Sequence, residues 1–251
     1  MAIPRNEYPR PTLVRKEWTN LNGQWQFEID NEKVGAEKNF FENGDFSREI
    51  TVPFCPESKL SGIGHTDFMN CVWYKRKFNL NKGGKRVILH FGAVDYFTKV
   101  YINGKEAGWH RGGYTSFSID ITDYTVDGEN TVTVCAEDDV RSGHQPAGKQ
   151  SVRLNSYGCS YTRTTGIWQT VWLETVENCY VKDLKTTTDI DLPAVNLSVE
   201  LSEMPKNTRI FAEAFWDGKS VGKESVGVFS KQVNFSVKLS EIKDTLGEDI
   251  Q

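Results

Sequence analysis

The chain has 251 residues, 38% of them hydrophobic and 25% charged, which is the composition of a soluble globular protein of one large or two smaller domains. Its net charge of −4 at pH 7 supplies no basic footprint for nucleic acid or an anionic membrane, so neither is an expected partner. No apolar run approaches the roughly 20 residues that a membrane span needs.

Residues 1–18 place Pro4, Pro9 and Pro11 among charged residues and lack the apolar core of a signal peptide. Residues 23–29 alternate, with Trp25, Phe27 and Ile29 on one face and Gln24, Gln26 and Glu28 on the other, which predicts a half-buried strand. Residues 31–45 are polar and read as a loop with at most a short helix. A strand begins at Ile50, and Pro53 and Pro56 then force an irregular loop to Met69. Residues 72–80 alternate again, with Tyr74, Phe78 and Leu80 on one face and a face carrying Lys75 and Lys77 that reads as solvated.

Strands follow at 86–91 and 97–102. Asn103-Gly104 then closes a tight hairpin into 105–109, because both turn residues must adopt positive φ. Phe117, Ile119 and Ile121 alternate, as do Val132, Val134 and Ala136, with a turn at Asp127-Gly128 between them. Residues 167–173 place Trp168, Thr170 and Trp172 on one side and Ile167, Gln169, Val171 and Leu173 on the other. Large groups on both faces predict a strand buried between two layers, fed by a polar loop carrying Arg163. Short strands joined by turn chemistry, with no long helical period, predict an antiparallel β-sandwich over residues 1–176.

From 177 the texture changes. Val195, Leu197, Val199 and Leu201 alternate, 210–216 turns through Asp217-Gly218 into 219–221, and Val233, Phe235, Val237 and Leu239 alternate once more. This reads as a smaller immunoglobulin-like sandwich over 177–251, about 75 residues against the roughly 100 usual for such a unit, and is expected to be incomplete at its C-terminal end. The five cysteines (Cys55, Cys71, Cys135, Cys159, Cys179) are odd in number and form no CxxC, and His65, His90, His110 and His144 have no metal-ligand spacing. No zinc site and no cofactor are expected, and scattered reduced thiols suit a cytoplasmic location.

Ordered stretches through the first 176 residues resemble glycoside hydrolase family 2, the β-galactosidase, β-glucuronidase and β-mannosidase family. They are LNGQWQF (21–27), VPF (52–54), VWYKR (72–76), LHFGAVD (89–95), VYINGK (100–105), GGYTSF (112–117), QPAGKQ (145–150) and RTTGIWQ (163–169). The resemblance implies a jelly-roll, galactose-binding-like "sugar-binding" sandwich, then an immunoglobulin-like sandwich. In the family a (β/α)₈ barrel carries two catalytic glutamates. Retaining glycosidases need two carboxylates about 5–5.5 Å apart, and a barrel takes roughly 250 residues with strand–helix alternation, which this sequence lacks. No catalytic residue is therefore assigned.

Asp138-Asp139 is the best carboxylate pair, but neighbours on an extended chain point apart, and a turn with solvated charges is the expected reading. The resemblance further implies that the first domain lends polar groups to the rim of a barrel active site. The family's acidic residue three positions before Arg163 is replaced here by Ser160. Arg163 is open to two readings, a hydrogen bond to a sugar hydroxyl or pairing with Asp138, Asp139 or Glu174. Ser160, Asp139 and, in the loop 141–150, His144, Gln145 and Lys149 complete the rim candidates. Trp73 and Trp109 are candidates for sugar stacking, with core or interface packing the expected role of each.

The sequence is thus read as the non-catalytic N-terminal portion of a retaining exo-β-glycosidase, most plausibly of β-galactosidase type. It meets its β-glycoside substrate through the barrel, and the whole enzyme is a possible homo-oligomer. The alternative is a freestanding carbohydrate-binding or interaction module. On the first reading, a surface that packs on the barrel is expected to appear as an exposed apolar patch.

Overall fold

The computed structural model describes residues 2–189 and 192–239. Its chain divides into two compact units, one of residues 1–9 and 15–176 and one of residues 10–14 and 177–251. The first unit contains β1 (Trp18–Asn20), β2 (Gly23–Ile29), a one-turn helix α1 (Phe40–Asn43), β3 (Arg48–Val52), β4 (Cys71–Leu80), β5 (Arg86–Phe91), β6 (Val94–Asp95) and β7 (Phe97–Ile102). It continues with β8 (Lys105–Arg111), β9 (Phe117–Asp120), β10 (Gly128–Glu137), β11 (Gly166–Ile167) and β12 (Val171–Val176).

These strands form an antiparallel sandwich, as the alternation predicts. A six-stranded sheet in the order β3-β2-β4-β10-β7-β8 faces a four-stranded sheet in the order β1-β12-β5-β9. Trp25, Phe27, Tyr74, Phe91, Ile167 and Leu173 belong to the single core between them. Each such side chain, taken fully out of water, contributes roughly 1.5–3 kcal/mol. The 103–104 turn is as expected: Asn103 and Gly104 have φ of 50° and 80°, and their turn pairs β7 with β8 from Ile102↔Lys105 outward.

The outer face of the six-stranded sheet carries a second apolar cluster. Cys71, Trp73, Tyr101 and Cys135 are buried there with Phe46, under Phe40 and Phe41. Trp73 donates its indole N–H to Asp30 Oδ2 at 3.0 Å and is a core residue. Lys75 corrects the expectation of a solvated face. It is buried, its Nζ donates to the Gly44 carbonyl at 2.9 Å and it lies 5.0 Å from the centre of the Phe46 ring. The loop folded back over β4 supplies the carbonyl that the ammonium needs. Lys77 does lie on the surface, paired with Glu129.

The predicted continuous strand 167–173 is also corrected. Gly166–Ile167 pairs with Val94–Asp95 in a separate two-stranded sheet, and Val171 resumes in the four-stranded sheet. Between them the chain turns. Trp168 donates its indole N–H to the Gly113 carbonyl at 2.7 Å, and the Thr170 carbonyl accepts from Gly92 N at 2.8 Å. Alternation alone does not reveal such a break, because both halves bury apolar groups.

The second unit contains β13 (Val181–Asp189), β14 (Ala194–Leu201), β15 (Arg209–Trp216), β16 (Lys219–Gly227) and β17 (Gln232–Lys238). A three-stranded sheet, β13-β14-β17, and the β15-β16 hairpin are all antiparallel. Val199, Leu201, Val228 and Val233 form its core. Leu239 follows the last strand, and residues 240–251 lie outside the described residues.

Candidate functional site

The polar loops of the first unit meet at one end of the sandwich, where β6 and β11 pair. Gly166 sits there with φ of 70°, and a Cβ on it would collide with the Tyr74 hydroxyl. That hydroxyl accepts from Ile167 N at 3.2 Å, so glycine is what lets β11 approach β4.

Around this point lie three buried carboxylates. Asp95 ends β6 and is 1% exposed, Asp138 follows β10 at 4%, and Glu57 comes from the 53–69 loop at 7%. Thr165 ties two of them together, its N–H donating to Glu57 Oε2 at 3.2 Å and its hydroxyl to Asp138 Oδ2 at 3.2 Å. Gln145 Nε2 donates to Asp138 Oδ1 at 2.6 Å, and Gln150 Nε2 donates to Asp95 Oδ2 at 2.9 Å. Gln150 Oε1 in turn accepts from Thr164 N at 2.9 Å. Asp95 and Asp138 thereby fasten strand ends to the 138–165 loop, and Glu57 fastens the 53–69 loop to it.

Burial pushes all three acids up. Glu57 rises to about 7, chiefly from burial, against the Thr165 hydrogen bonds. Asp95 also reaches about 7, from burial and then from the neighbouring charges of Asp138 and Glu57. Asp138 reaches about 6, its burial offset in part by Gln145, Thr165 and the Arg163 charge. Near neutrality the cluster holds protons that ordinary carboxylates have lost. Asp138 is therefore not the solvated turn residue its sequence suggests: the loop that follows β10 folds over it.

Arg163 is 3% exposed, and its guanidinium goes to backbone carbonyls instead of the carboxylates expected. Nη1 donates to Ser151 O at 3.0 Å and Arg153 O at 2.6 Å. Nη2 donates to Thr66 O and, at 3.4 Å, to Leu154 O. The guanidinium also lies 4.1 Å from the centre of the Phe68 ring, which Arg141 approaches to 3.8 Å. One cation thus gathers the 53–69 and 150–163 loops. Glu174, the third carboxylate considered for it, is bound elsewhere, by the Tyr8 hydroxyl and by Arg15 Nε at 2.6 Å.

The other candidates divide. Gln145 and Asp139 are tied inward, since Gln145 Oε1 accepts from Asp139 N at 3.2 Å and Asp139 Oδ1 from Arg141 N at 3.2 Å. His144 and Lys149 are exposed, and half-buried Ser160 sits at a turn whose backbone pairs with Tyr157. The same loops expose Tyr114, Leu154, Tyr157 and Tyr161. Trp109 lies on the sandwich surface, 64% exposed, and not in its core.

Sequence reasoning did not single out Asp95, Glu57, Thr165 or Gln150. Asp95, Gln150 and Thr165 fall within the stretches that carry the resemblance. Glu57 sits in an irregular loop and has no pattern to mark it. The hydrogen bonds of the cluster run from loop amides, a hydroxyl and a backbone N–H to its carboxylates, which is the arrangement of a scaffold that holds loops.

Residues 18–175 match the family described as "Glycosyl hydrolases family 2, sugar binding domain". The chain is 26% identical over 222 residues to a β-glucuronidase of Paenibacillus borealis, covering 81% of this chain and 37% of that protein. It is 29% identical over 190 residues to a β-galactosidase of Thermoanaerobacter pseudethanolicus, covering 74% of this chain and 23% of the relative. The fold is similar to that of a β-glucuronidase from Ruminococcus gnavus solved with D-glucuronic acid. The TM-score is 0.71 at 20% identity, over 94% of this chain and 42% of that one.

Proposed function

The chain belongs to glycosyl hydrolases family 2, and on that premise we propose that it is the non-catalytic N-terminal portion of a retaining exo-β-glycosidase. The observation that carries this reading is that the match runs through the whole first sandwich, 18–175, while the chain spans only 37% and 23% of the two relatives. In this reading the catalytic carboxylates lie on a barrel beyond these residues. The loop end of the sandwich, with His144, Lys149 and Ser160 on its surface, forms part of the rim around the substrate. The buried acids and Arg163 hold that rim in shape.

The substrate we propose is a β-galactoside. A β-glucuronide is the second reading, favoured by relatives so named. The test is to express the longer gene product that contains these residues and assay it against nitrophenyl β-galactoside, β-glucuronide and β-mannoside. Hydrolysis with retention, at least tenfold faster for the β-galactoside, is expected. Equal or faster β-glucuronide turnover moves the assignment to the second reading, and no turnover of any β-glycoside refutes both.

A further inference from the structure

The outer face of the six-stranded sheet is covered unevenly. Over β4, β10 and the end of β7 it is roofed by Phe40, Phe41 and Phe46. Over the start of β7 and the edge strand β8 Trp109 stands exposed. Its ring centre lies 6.1 Å from that of Phe97, with the planes inclined at 42°, so the two rings form a shallow V. Arg111, opposite Phe97 in the strand register, holds its guanidinium 5.3 Å from the Phe97 ring. Lys99 lies opposite Trp109. With Glu106 these residues line an open cleft of about 500 Å³.

From this arrangement we propose that the Phe97–Trp109 cleft is a surface binding site for an acidic carbohydrate, a uronate-bearing saccharide stacked on the Trp109 ring. A pyranose presents a flat apolar face and a rim of hydroxyls. A rigid exposed indole covers the first, and charged donors and acceptors at its edges meet the second. An indole left in water on an edge strand forgoes burial that the neighbouring half of the same face obtains from Phe40 and Phe41. The preference for an anion follows from charge. Lys99 and Arg111 form no ion pair among the described residues, so both cations remain available to a sugar carboxylate. Arg111 is also oriented in advance by its ring contact, which lowers the entropy lost on binding. Glu106, the one carboxylate of the cleft, is placed to accept from ring hydroxyls. This site lies on the sheet face, and its existence does not depend on the reading of the loop end as a substrate rim.

The experiment is a titration of the 251-residue chain with methyl β-D-glucuronide and, separately, methyl β-D-glucoside. It follows the indole N–H resonance of Trp109, assigned by its loss in Trp109→Ala. The glucuronide is expected to shift that resonance saturably at millimolar concentration. The dissociation constant should rise by about tenfold or more in Trp109→Ala, read by calorimetry. It should rise by about two- to fivefold in Arg111→Gln, an effect absent with the glucoside and weakened by salt. Trp109→Tyr, which keeps a stacking ring, retains binding. No saturable shift overturns the proposal, as does binding that survives Trp109→Ala or equal affinity for the two sugars. A Trp109 shift that follows protein concentration instead of sugar also overturns it, because the face is then an interface between copies of the chain.

Discussion

Replacing Asp95 by asparagine isolates the charge of the buried acid cluster from its shape. Asp95 is 1% exposed and keeps one hydrogen bond, from Gln150 Nε2 to Oδ2. Its Oδ1 has no partner among the described residues. An asparagine carbonyl accepts the same bond without a charge to desolvate. Asp95 rises from 3.8 to about 7, first through burial and then through the charges of Asp138 and Glu57. For an acid whose folded value lies above its unfolded one, the fold holds a proton the unfolded chain has released. Stability therefore falls as pH climbs from about 4 to about 7 and stays low above. Over pH 5 to 8 that amounts to about 2–3 kcal/mol, at about 1.4 kcal/mol per pH unit, with the coupled acids sharing part of it. Urea unfolding of wild type and Asp95→Asn, followed by tryptophan fluorescence at pH 5, 6, 7 and 8, reads this directly. The stability advantage of the variant is expected to widen across the series. An advantage that does not change with pH, or a variant less stable than wild type at pH 8, refutes the argument.

Glu174 tests the opposite sign. Its burial favours the neutral form, but His90, whose Nε2 lies 3.3 Å from Oε2, and the hydrogen bonds from Tyr8 and Arg15 outweigh that and hold it well below 4.5. Its contribution is thus present above 4.5 and lost as pH falls further. Glu174→Gln should destabilise by about 3 kcal/mol at pH 7, and melting curves at pH 7 and pH 3 should show that gap closing in acid. Arg163→Lys keeps the charge but replaces a fork that reaches four carbonyls with a single ammonium. We expect a loss of about 2 kcal/mol and faster limited proteolysis confined to the 53–69 and 150–163 loops. Gly166→Ala places a methyl group against the Tyr74 hydroxyl at positive φ. It should cost about 2–4 kcal/mol by chemical denaturation, and an unchanged midpoint contradicts the close approach.

How far the sequence carries the fold varies with the element. β2 is legible to the residue because one of its faces is apolar and the other polar. The Asn103-Gly104 hairpin is legible because its turn demands positive φ at both residues. The break between Gly166–Ile167 and Val171 is not, since Trp168 faces a loop carbonyl that only the tertiary fold supplies. Lys75 misleads for the same reason: a charged residue in an alternating strand reads as solvated until the Gly44 carbonyl arrives from the preceding loop. At the loop end, Arg163 draws notice as a cation beside a buried strand, yet the four carbonyls it binds carry no sequence signature. Asp95, Asp138 and Glu57 lie far apart along the chain and meet only when two strand ends and the 53–69 loop close on one another.

On the proposed function, residues 18–175 are a sugar-binding-domain scaffold whose chemistry resides elsewhere in a longer enzyme. Incubating the purified 251-residue chain with nitrophenyl β-galactoside, β-glucuronide and β-mannoside, and following nitrophenol release, tests it most directly. Release no faster than in buffer is expected for every substrate. Saturable turnover of any one of them, surviving repurification and abolished by substitution of a carboxylate of this chain, would contradict it.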